Sequence, residues 1–339
     1  MYWECNQTCS NELYPAGLVC DIRGKDPTDY RNAGKTTLLE CIESINRALP
    51  HDIPHETRSL LEKARRCWLW ATAVGWYMER HLTYPRDVLP ALSGIAKHLA
   101  PVLGGTAQGY VAGMWRDQCM FAQLGWFTAS PSTAPRSTEL LGPTWSWVVA
   151  TDTPVQFAPF LWAIVSWSSR HLDVDWARSV RENPIKTCTV LDAQATLATA
   201  DPTGAVKDGF VLLQGHLNRL TLGAKQQCFI GGQPVPMDLY LDSALEENTS
   251  DQLFLFSLYS VFLALGIEGK QGGIYRPHPT YLVLSPVEER RGTYERRGLA
   301  MWQWFGTDVE IEPPWETLSG QGPSEGSFNR EVGYSIRVI

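Results

Sequence analysis

The spacing of apolar residues changes along the chain, from a helical period in its first part to an alternating period in its second. Residues 56–82 repeat apolar side chains every three or four positions and carry charged residues on the other faces, which predicts an amphipathic helix. The same pattern predicts helices over 36–49, 87–99 and 107–125. We therefore expect residues 1–130 to form a mainly helical subdomain.

After a Ser-, Thr- and Pro-rich stretch at 128–136, apolar and polar residues alternate in short runs, which is typical of strands. The predicted strands cover 145–149, 187–197, 210–222, 229–230, 237–241, 253–265, 281–285, 298–305 and 333–339. Many short strands separated by turn residues indicate an antiparallel barrel or sandwich. The expected fold is α+β: an N-terminal helical layer packed on a C-terminal antiparallel β-barrel or sandwich (131–339), the two forming one globular unit.

Charge and hydropathy exclude two classes of partner. The 339 residues carry a net charge of −7, and the basic runs do not exceed Arg65-Arg66 and Arg290-Arg291, so we expect no nucleic-acid partner. The longest charge-free apolar stretch, 252–267, is shorter than the roughly 20 residues of a membrane-spanning helix. The first residues lack the apolar core of a secretory signal. We expect a soluble, cytoplasmic protein without a membrane partner.

Sequence motifs for cofactors and metals fail on inspection. Gly34-Lys35-Thr36 resembles the end of a phosphate-binding loop, but the position of its first glycine is Asp29, whose charge repels phosphate. His55-Glu56 resembles the start of a zinc-protease helix, but Ser59 stands where the second histidine is needed. The cysteines lack the paired spacing of a zinc site. We therefore expect no metal and no cofactor.

Tryptophan is unusually abundant, with 14 residues in the chain. On a strand, Trp145 and Trp147 would point to one face, as residues two apart do. Such an aromatic surface forms either a sheet-on-helix core or the wall of a cavity for an apolar ligand. In the second interpretation, the candidate substrate-binding residues are Tyr110, Trp115, Trp145, Trp147 and His216.

Two polar residues near these aromatics are the candidate catalytic groups. Asp173 and Asp175 are two apart, and His171 could orient them. Terpene cyclases use aspartate-rich motifs to hold magnesium or to protonate an alkene, although this motif is shorter than either familiar form. His171 and Asp173 are therefore the catalytic candidates, and the alternative is a solvated loop or strand edge.

A series of short motifs follows one order along most of the chain. The motifs are Tyr2-Trp3-Glu4-Cys5, the run from His81 to Ala96, Tyr110 to Trp115, Pro143-Thr144-Trp145-Ser146-Trp147, Leu191-Asp192-Ala193 and Asp201-Pro202-Thr203-Gly204. In this order they resemble the region downstream of the HET domain in fungal heterokaryon-incompatibility proteins, over roughly residues 1–310. The resemblance implies an origin in that signalling family.

The resemblance does not carry the family's function directly. In that family the HET core, which resembles nucleotide-cleaving folds, precedes the Tyr-Trp-Glu-Cys motif, so we expect this chain to lack it. Our main hypothesis is a cofactor-independent cyclase or isomerase, such as a Diels-Alder-type pericyclase, acting on an apolar terpenoid or polyketide in secondary metabolism. The alternative implied by the resemblance is a non-enzymatic regulatory module with a protein partner. A nucleotide-hydrolysing enzyme is the weakest hypothesis.

Overall fold

The computed structural model divides the chain into two compact units, Met1–Ile53 and Pro54–Ile339. It describes residues 2–4, 9–11, 55–79, 82–103, 105–116, 120–128, 141–150, 153–158, 187–245, 252–265, 274–288, 290–302, 327–329 and 333–339. In the first unit, β1 (Tyr2–Glu4) pairs antiparallel with β2 (Cys9–Asn11). The predicted helix over 36–49 lies outside the described residues.

Two predicted helices are confirmed, with different ends. Helix α1 (His55–Met78) replaces the prediction over 56–82, and α2 (Val88–Leu103) extends beyond the predicted end at residue 99. Pro101 lies in the last turn of α2 and lacks the N–H that would donate to the carbonyl of Lys97, and the helix ends two residues later at Leu103. Among the described residues, none of the helices combines the length and apolarity that crossing a bilayer requires.

The predicted helix over 107–125 is wrong. The chain instead forms a hairpin of β3 (Tyr110–Val111) and β4 (Met114–Trp115), followed by the short helix α3 (Met120–Gln123). The hairpin turn places both Ala112 and Gly113 in the left-handed region, at φ 45° and 88°. An α-helix cannot continue through two residues in the left-handed region, and Gly113 was the residue in the sequence that indicated a turn here.

The second unit is dominated by one eleven-stranded, mostly antiparallel sheet. Its strands are β7 (Cys188–Leu197), β8 (Val206–Gly215), β9 (Leu217–Leu222), β10 (Cys228–Ile230), β11 (Gln233–Val235), β12 (Met237–Leu241), β13 (Leu253–Leu265), β14 (Ile274–Pro286), β15 (Thr293–Trp302), β16 (Ser327–Asn329) and β17 (Gly333–Val338). The main order is β11-β10-β9-β13-β14-β15-β17-β8-β7, with β12 also on β15 and β16 on β17. Only β15 and β17 pair in parallel among these strands.

An α+β fold with a dominant sheet is therefore confirmed, but the barrel is not. In the described residues, the two end strands β11 and β7 do not pair with each other, and a barrel requires that pairing to close. Side chains from several of these strands pack together into a hydrophobic core, which includes Leu220, Leu253, Leu255 and Val283.

The predicted strand over 145–149 is also wrong. Trp147–Val149 forms a 3₁₀ turn, and the Ser146 side chain caps it by accepting the Val148 N–H at 3.2 Å. Serine competes for backbone hydrogen bonds in this way and ends the extended conformation. Trp145 and Trp147 therefore do not share one face of a strand. A separate two-stranded sheet joins β5 (Trp126–Thr128) to β6 (Val155–Phe157).

A fully buried arginine connects the sheet to the chain before residue 130. Arg296 on β15 forms an ion pair with Asp242 at 2.9 Å and donates to the carbonyl of Leu124 at 2.7 Å. Its guanidinium also lies over the Trp126 ring, 3.5 Å from the ring centroid. Its charge and its donors are thus engaged inside the protein, as a buried charge requires.

Candidate functional site

The carbonyl of Gly113 is the centre of a buried group of aromatic side chains. It accepts the indole N–H of Trp70 at 3.0 Å and that of Trp147 at 2.8 Å. The left-handed turn at Ala112 and Gly113 leaves this carbonyl free of the hairpin ladder. A β-carbon on Gly113 would lie 2.8 Å from the Trp147 ring, so only glycine fits here.

The rings around this carbonyl pack edge to face. The aromatic cluster consists of Trp70, Tyr77, Tyr110, Trp115 and Trp147. The Tyr110 and Trp115 centroids are 5.1 Å apart, and each lies 5.7 Å from that of Trp70. Tyr77 contacts Trp147 at 6.5 Å and donates its hydroxyl to the carbonyl of Val88 at 2.7 Å. Edge-to-face pairs of this kind stabilise a core beyond the area they bury.

The Ser146 side chain holds the next segment against the same hairpin. Its hydroxyl donates to the carbonyl of Ala112 at 2.6 Å, beside the Trp147 contact. The carbonyl of Trp145 accepts the indole N–H of Trp126 at 2.8 Å. These hydrogen bonds bring Tyr110, Trp115, Trp145 and Trp147, four of the five predicted substrate-binding residues, into one region.

Within this region, three buried polar atoms have no hydrogen-bond partner among the described residues: the Tyr110 hydroxyl, the Trp115 indole N–H and the Trp145 indole N–H. Their side chains are almost completely buried, at 5%, 1% and 0% exposure. Unpaired buried donors are rare because each loses its hydration without compensation. Trp70 and Trp147 use their N–H groups to hold the fold, whereas these three donors do not.

The Tyr110 hydroxyl remains protonated across the physiological range. Burial raises its pKa well above the usual value, and the negative charges of ionised Tyr77 and of Asp201 add to the effect. The indole N–H of Trp115 is a donor only. Two neighbouring rings therefore offer donors that can polarise an oxygen atom but cannot act as bases.

The remaining predicted site residues lie elsewhere or outside the described part of the chain. His216 is half-buried between β8 and β9, where its carbonyl accepts the Ser257 N–H at 3.0 Å. His171 and Asp173, the predicted catalytic pair, fall outside the described residues.

Two of the sequence motifs meet at the surface of α2. The Ser93 hydroxyl lies 2.9 Å from an Asp201 carboxylate oxygen and 2.7 Å from the Thr203 hydroxyl. Lys97, one turn further along α2, donates to the same carboxylate at 2.8 Å. The hydrogen bond from Lys97, followed by those from Thr203 and Ser93, lowers the pKa of Asp201. The contact fixes the turn after β7 to α2.

A concave region opens beside the turn between β14 and β15. This cleft of about 530 Å³ is lined by Arg219, Arg290, Arg291, Glu288 and the rings of Phe254 and Tyr294, among others. We call it the arginine cleft. In the sequence, the basic pair Arg290-Arg291 was the indication of this cleft, and no pattern linked the pair to Arg219 on β9.

The described residues contain no group of three or more His, Cys, Asp or Glu side chains placed to hold a metal ion. Cys67, Cys188 and Cys228 are buried. Burial, followed by the charge of Asp238, raises the pKa of Cys228 to about 11, so this thiol is a weak nucleophile.

Comparison of the chain with protein-family models, with curated proteins and with solved structures gives no match.

Proposed function

We propose that the chain is a cofactor-independent cyclase or isomerase, such as a Diels-Alder-type pericyclase, that acts on an apolar terpenoid or polyketide at the aromatic cluster. The observation that supports this most is the pair of buried donors without partners, the Tyr110 hydroxyl and the Trp115 N–H, on rings in contact. Both belong to residues expected to bind the substrate.

The chemistry of such a reaction fits what these residues offer. A cyclisation or pericyclic step rearranges bonds within one molecule and needs no external oxidant, but it does need a reactive conformer held in place. Aromatic walls supply the shape, and a donor aimed at an oxygen that gains negative charge lowers the barrier. Tyr110 and Trp115 are the proposed donors, while Trp70 and Trp147 are proposed walls because Gly113 already occupies their N–H groups.

The energetic effect of the two donors is large enough to matter. A buried donor without a partner costs about 1–3 kcal/mol, which a substrate oxygen would recover on binding. Loss of one such donor in an enzyme that stabilises an oxyanion typically lowers kcat by about 10²–10³. Substitution of Tyr110 should therefore reduce turnover far more than it reduces stability.

The test is a thermal-shift screen against terpenoid and polyketide extracts, with product analysis of each hit. A ligand at about 100 times its Kd adds roughly 2.7 kcal/mol of stability, which is readily measured. We expect Tyr110→Phe to lower turnover of the hit compound by about 10²–10³-fold. Tyr281→Phe is the matched control, since Tyr281 is also buried with an unpaired hydroxyl but lies on β14. Equal turnover in both variants, or no converted compound, would argue against the enzyme.

We also propose that the helices form a layer on the sheet, as the sequence suggested. Phe121 of α3 contacts Tyr259 of β13 with ring centroids 6.1 Å apart, and Arg296 of β15 reaches the carbonyls of Leu124 and Trp126. These contacts support a layered arrangement in which the aromatic cluster occupies the junction, where ligand cavities are common. The proposed place of action is the cytoplasm.

A regulatory module of the heterokaryon-incompatibility type is the second candidate. One observation favours it: the motifs that carry that resemblance contact one another. Ser93 meets Thr203, and the segment Ser146-Trp147 binds the hairpin at Ala112-Gly113. These roles are structural and use no reaction chemistry. Binding of a separately expressed HET core, measured by calorimetry, supports this candidate, and no heat of binding argues against it.

A further inference from the structure

The two proposed donors of the aromatic cluster are closed off from solvent. Tyr110 and Trp115 are only 5% and 1% exposed, and the hydroxyl and the indole N–H themselves are buried. A ligand therefore reaches these donors only after some part of the surrounding structure moves, as a lid does in many enzymes. The contacts around the cluster differ in how easily they can separate.

Helix α2 is attached to the aromatic cluster at both ends. At its start, the Val88 carbonyl accepts the Tyr77 hydroxyl at 2.7 Å. Just past its end, Gly105 lies against Trp115, since a β-carbon added to Gly105 would be 3.1 Å from that ring. These contacts involve large aromatic side chains, and separating them would expose apolar surface to water. We therefore expect α2 to stay in place when a ligand enters.

The middle of α2 is held by polar side chains from the turn between β7 and β8. Ser93 is within hydrogen-bond distance of Asp201 and Thr203, and Lys97 donates to Asp201. We call these four residues the polar clasp. The Lys97 and Asp201 side chains are 51% and 33% exposed, so water replaces their hydrogen bonds when the contact opens. The clasp therefore separates at a lower cost than the aromatic contacts.

The turn between β7 and β8 is a compact unit with an irregularity at its base. The Asp201 side chain accepts the Thr203 N–H at 3.0 Å, and the Asp201 carbonyl accepts the Gly204 N–H at 3.1 Å. The pairing of β7 with β8 shifts register between Thr196 and Leu197. Such an irregularity lets a strand bend locally. The turn can therefore swing about its base and keep its own hydrogen bonds.

The polar clasp lies on the side of the cluster that carries the Tyr110 hydroxyl. Strand β3, which begins with Tyr110, is next to β7. Burial, followed by the charges of Tyr77 and Asp201, raises the pKa of Tyr110, so the Asp201 carboxylate is near enough to act on this hydroxyl. Thr203 is completely buried and Ser93 nearly so. The inner half of the clasp thus closes the seam between the turn and α2.

From these features we infer that the turn between β7 and β8 is the gate of the aromatic cluster, and that the polar clasp opens to admit an apolar ligand and closes over it. The inference rests on the proposed function, because it concerns the route by which a ligand reaches Tyr110 and Trp115. It adds that residues away from the donors control access to them. Closure would also exclude water from the site, which strengthens hydrogen bonds to the ligand.

A reversible crosslink across the clasp tests the inference. The Ser93 and Thr203 oxygens are 2.7 Å apart, so Ser93→Cys combined with Thr203→Cys places two thiols within reach of a disulfide. The probe is prodan, an apolar aromatic ketone, and stopped-flow fluorescence follows its association. We expect association to be slower by about tenfold or more in the oxidised protein, because the open state is no longer populated, and to recover on reduction. Ser93→Cys alone, with the same oxidant, is the control and should show no change.

A second variant opens the clasp instead of locking it. Lys97→Gln removes the charged donor to Asp201 and should speed the association of prodan by up to about tenfold. Lys207→Gln, at an exposed lysine on β8, is the matched control and should leave the rate unchanged. Thermal unfolding confirms that each variant is folded, and Lys97→Gln decides the test if the cysteine pair does not fold.

The outcomes separate the gate from the proposed function. Tyr110→Phe should weaken the binding of prodan, which places the probe at the aromatic cluster. If it does so while the crosslinked protein associates equally fast when oxidised and reduced, the gate is wrong and the ligand site stands. Prodan that does not bind, or that binds Tyr110→Phe as tightly as the unsubstituted protein, would contradict the ligand site and the gate with it.

Discussion

The aromatic cluster and the arginine cleft are opposite ways of building a potential binding region. In the cluster, Trp70, Tyr110, Trp115 and Trp147 are buried, and the N–H groups of Trp70 and Trp147 hold the hairpin at the carbonyl of Gly113. In the cleft, charged side chains such as Arg290 are exposed at a concave surface. Burial alone therefore does not identify a site: Tyr110 and Trp115 differ from Trp70 and Trp147 because their donors have no acceptor among the described residues.

One of the two largest predicted effects contrasts two arginines. Arg296→Met should lower the free energy of unfolding by about 3–5 kcal/mol, because it leaves the buried Asp242 carboxylate without its partner. Arg290→Gln in the cleft should change it by less than about 0.5 kcal/mol. Urea unfolding of both variants measures the difference. Similar values for the two would contradict the distinction between a structural and an available arginine.

Substitution of Trp147 tests whether this proposed wall of the ligand site also stabilises the fold. Trp147→Ala should cost about 3–5 kcal/mol, since the side chain is completely buried and donates to Gly113. Tyr84→Ala, at a position that is 66% exposed, is the control and should be nearly neutral. If Trp147→Ala keeps its unfolding midpoint, the residue does not support the fold, and the described packing is not what stabilises the protein.

Two glycines make a matched pair for the hairpin turn. Gly113→Ala should cost about 1–3 kcal/mol, because the residue has φ 88° and its β-carbon would meet the Trp147 ring at 2.8 Å. Gly94→Ala, on the exposed face of α2 with nothing within 4 Å of its β-carbon, should instead stabilise by up to about 1 kcal/mol. Thermal unfolding measures the direction of each change in stability. A change in the same direction for both variants would contradict the turn geometry.

The contact between Asp201 and α2 should make stability sensitive to acid. Its hydrogen bonds lower the pKa of Asp201 in the folded protein below the ordinary 3.8. That stabilisation is therefore complete above pH 3.8 and is lost as the pH falls through the lowered value. Asp201→Asn should be less stable at neutral pH and lose less stability on acidification, whereas Asp208→Asn, an exposed carboxylate, should behave as the unsubstituted protein. Parallel acid titrations of unfolding check this.

The sequence allowed the prediction of an α+β fold, of helices α1 and α2, and of long strands such as β13, because each has a sustained period of apolar residues. The prediction failed where a local hydrogen bond or a left-handed turn overrode the periodic pattern of apolar residues. The Ser146 cap turned a predicted strand into a 3₁₀ turn, and the left-handed pair Ala112-Gly113 turned a predicted helix into a hairpin.

For the candidate sites, the prediction named Tyr110, Trp115, Trp145 and Trp147 from their aromatic and polar neighbourhood, and the structure brings these four residues into one region. No pattern could indicate which of their donors remain unpaired, since that depends on where Gly113 places its carbonyl. The arginine cleft was equally hidden, because Arg219 is far from Arg290 in sequence and reaches it only through strand pairing.

The most direct test of the central claim is the free energy of unfolding of Tyr110→Phe. If the Tyr110 hydroxyl is an unused donor kept for a ligand, its removal should leave stability unchanged or raise it by up to about 1 kcal/mol. The thermal shift caused by a converted terpenoid or polyketide should disappear in the same variant. A loss of more than about 1 kcal/mol without ligand, together with an intact ligand shift, would contradict the claim and make Tyr110 a structural residue.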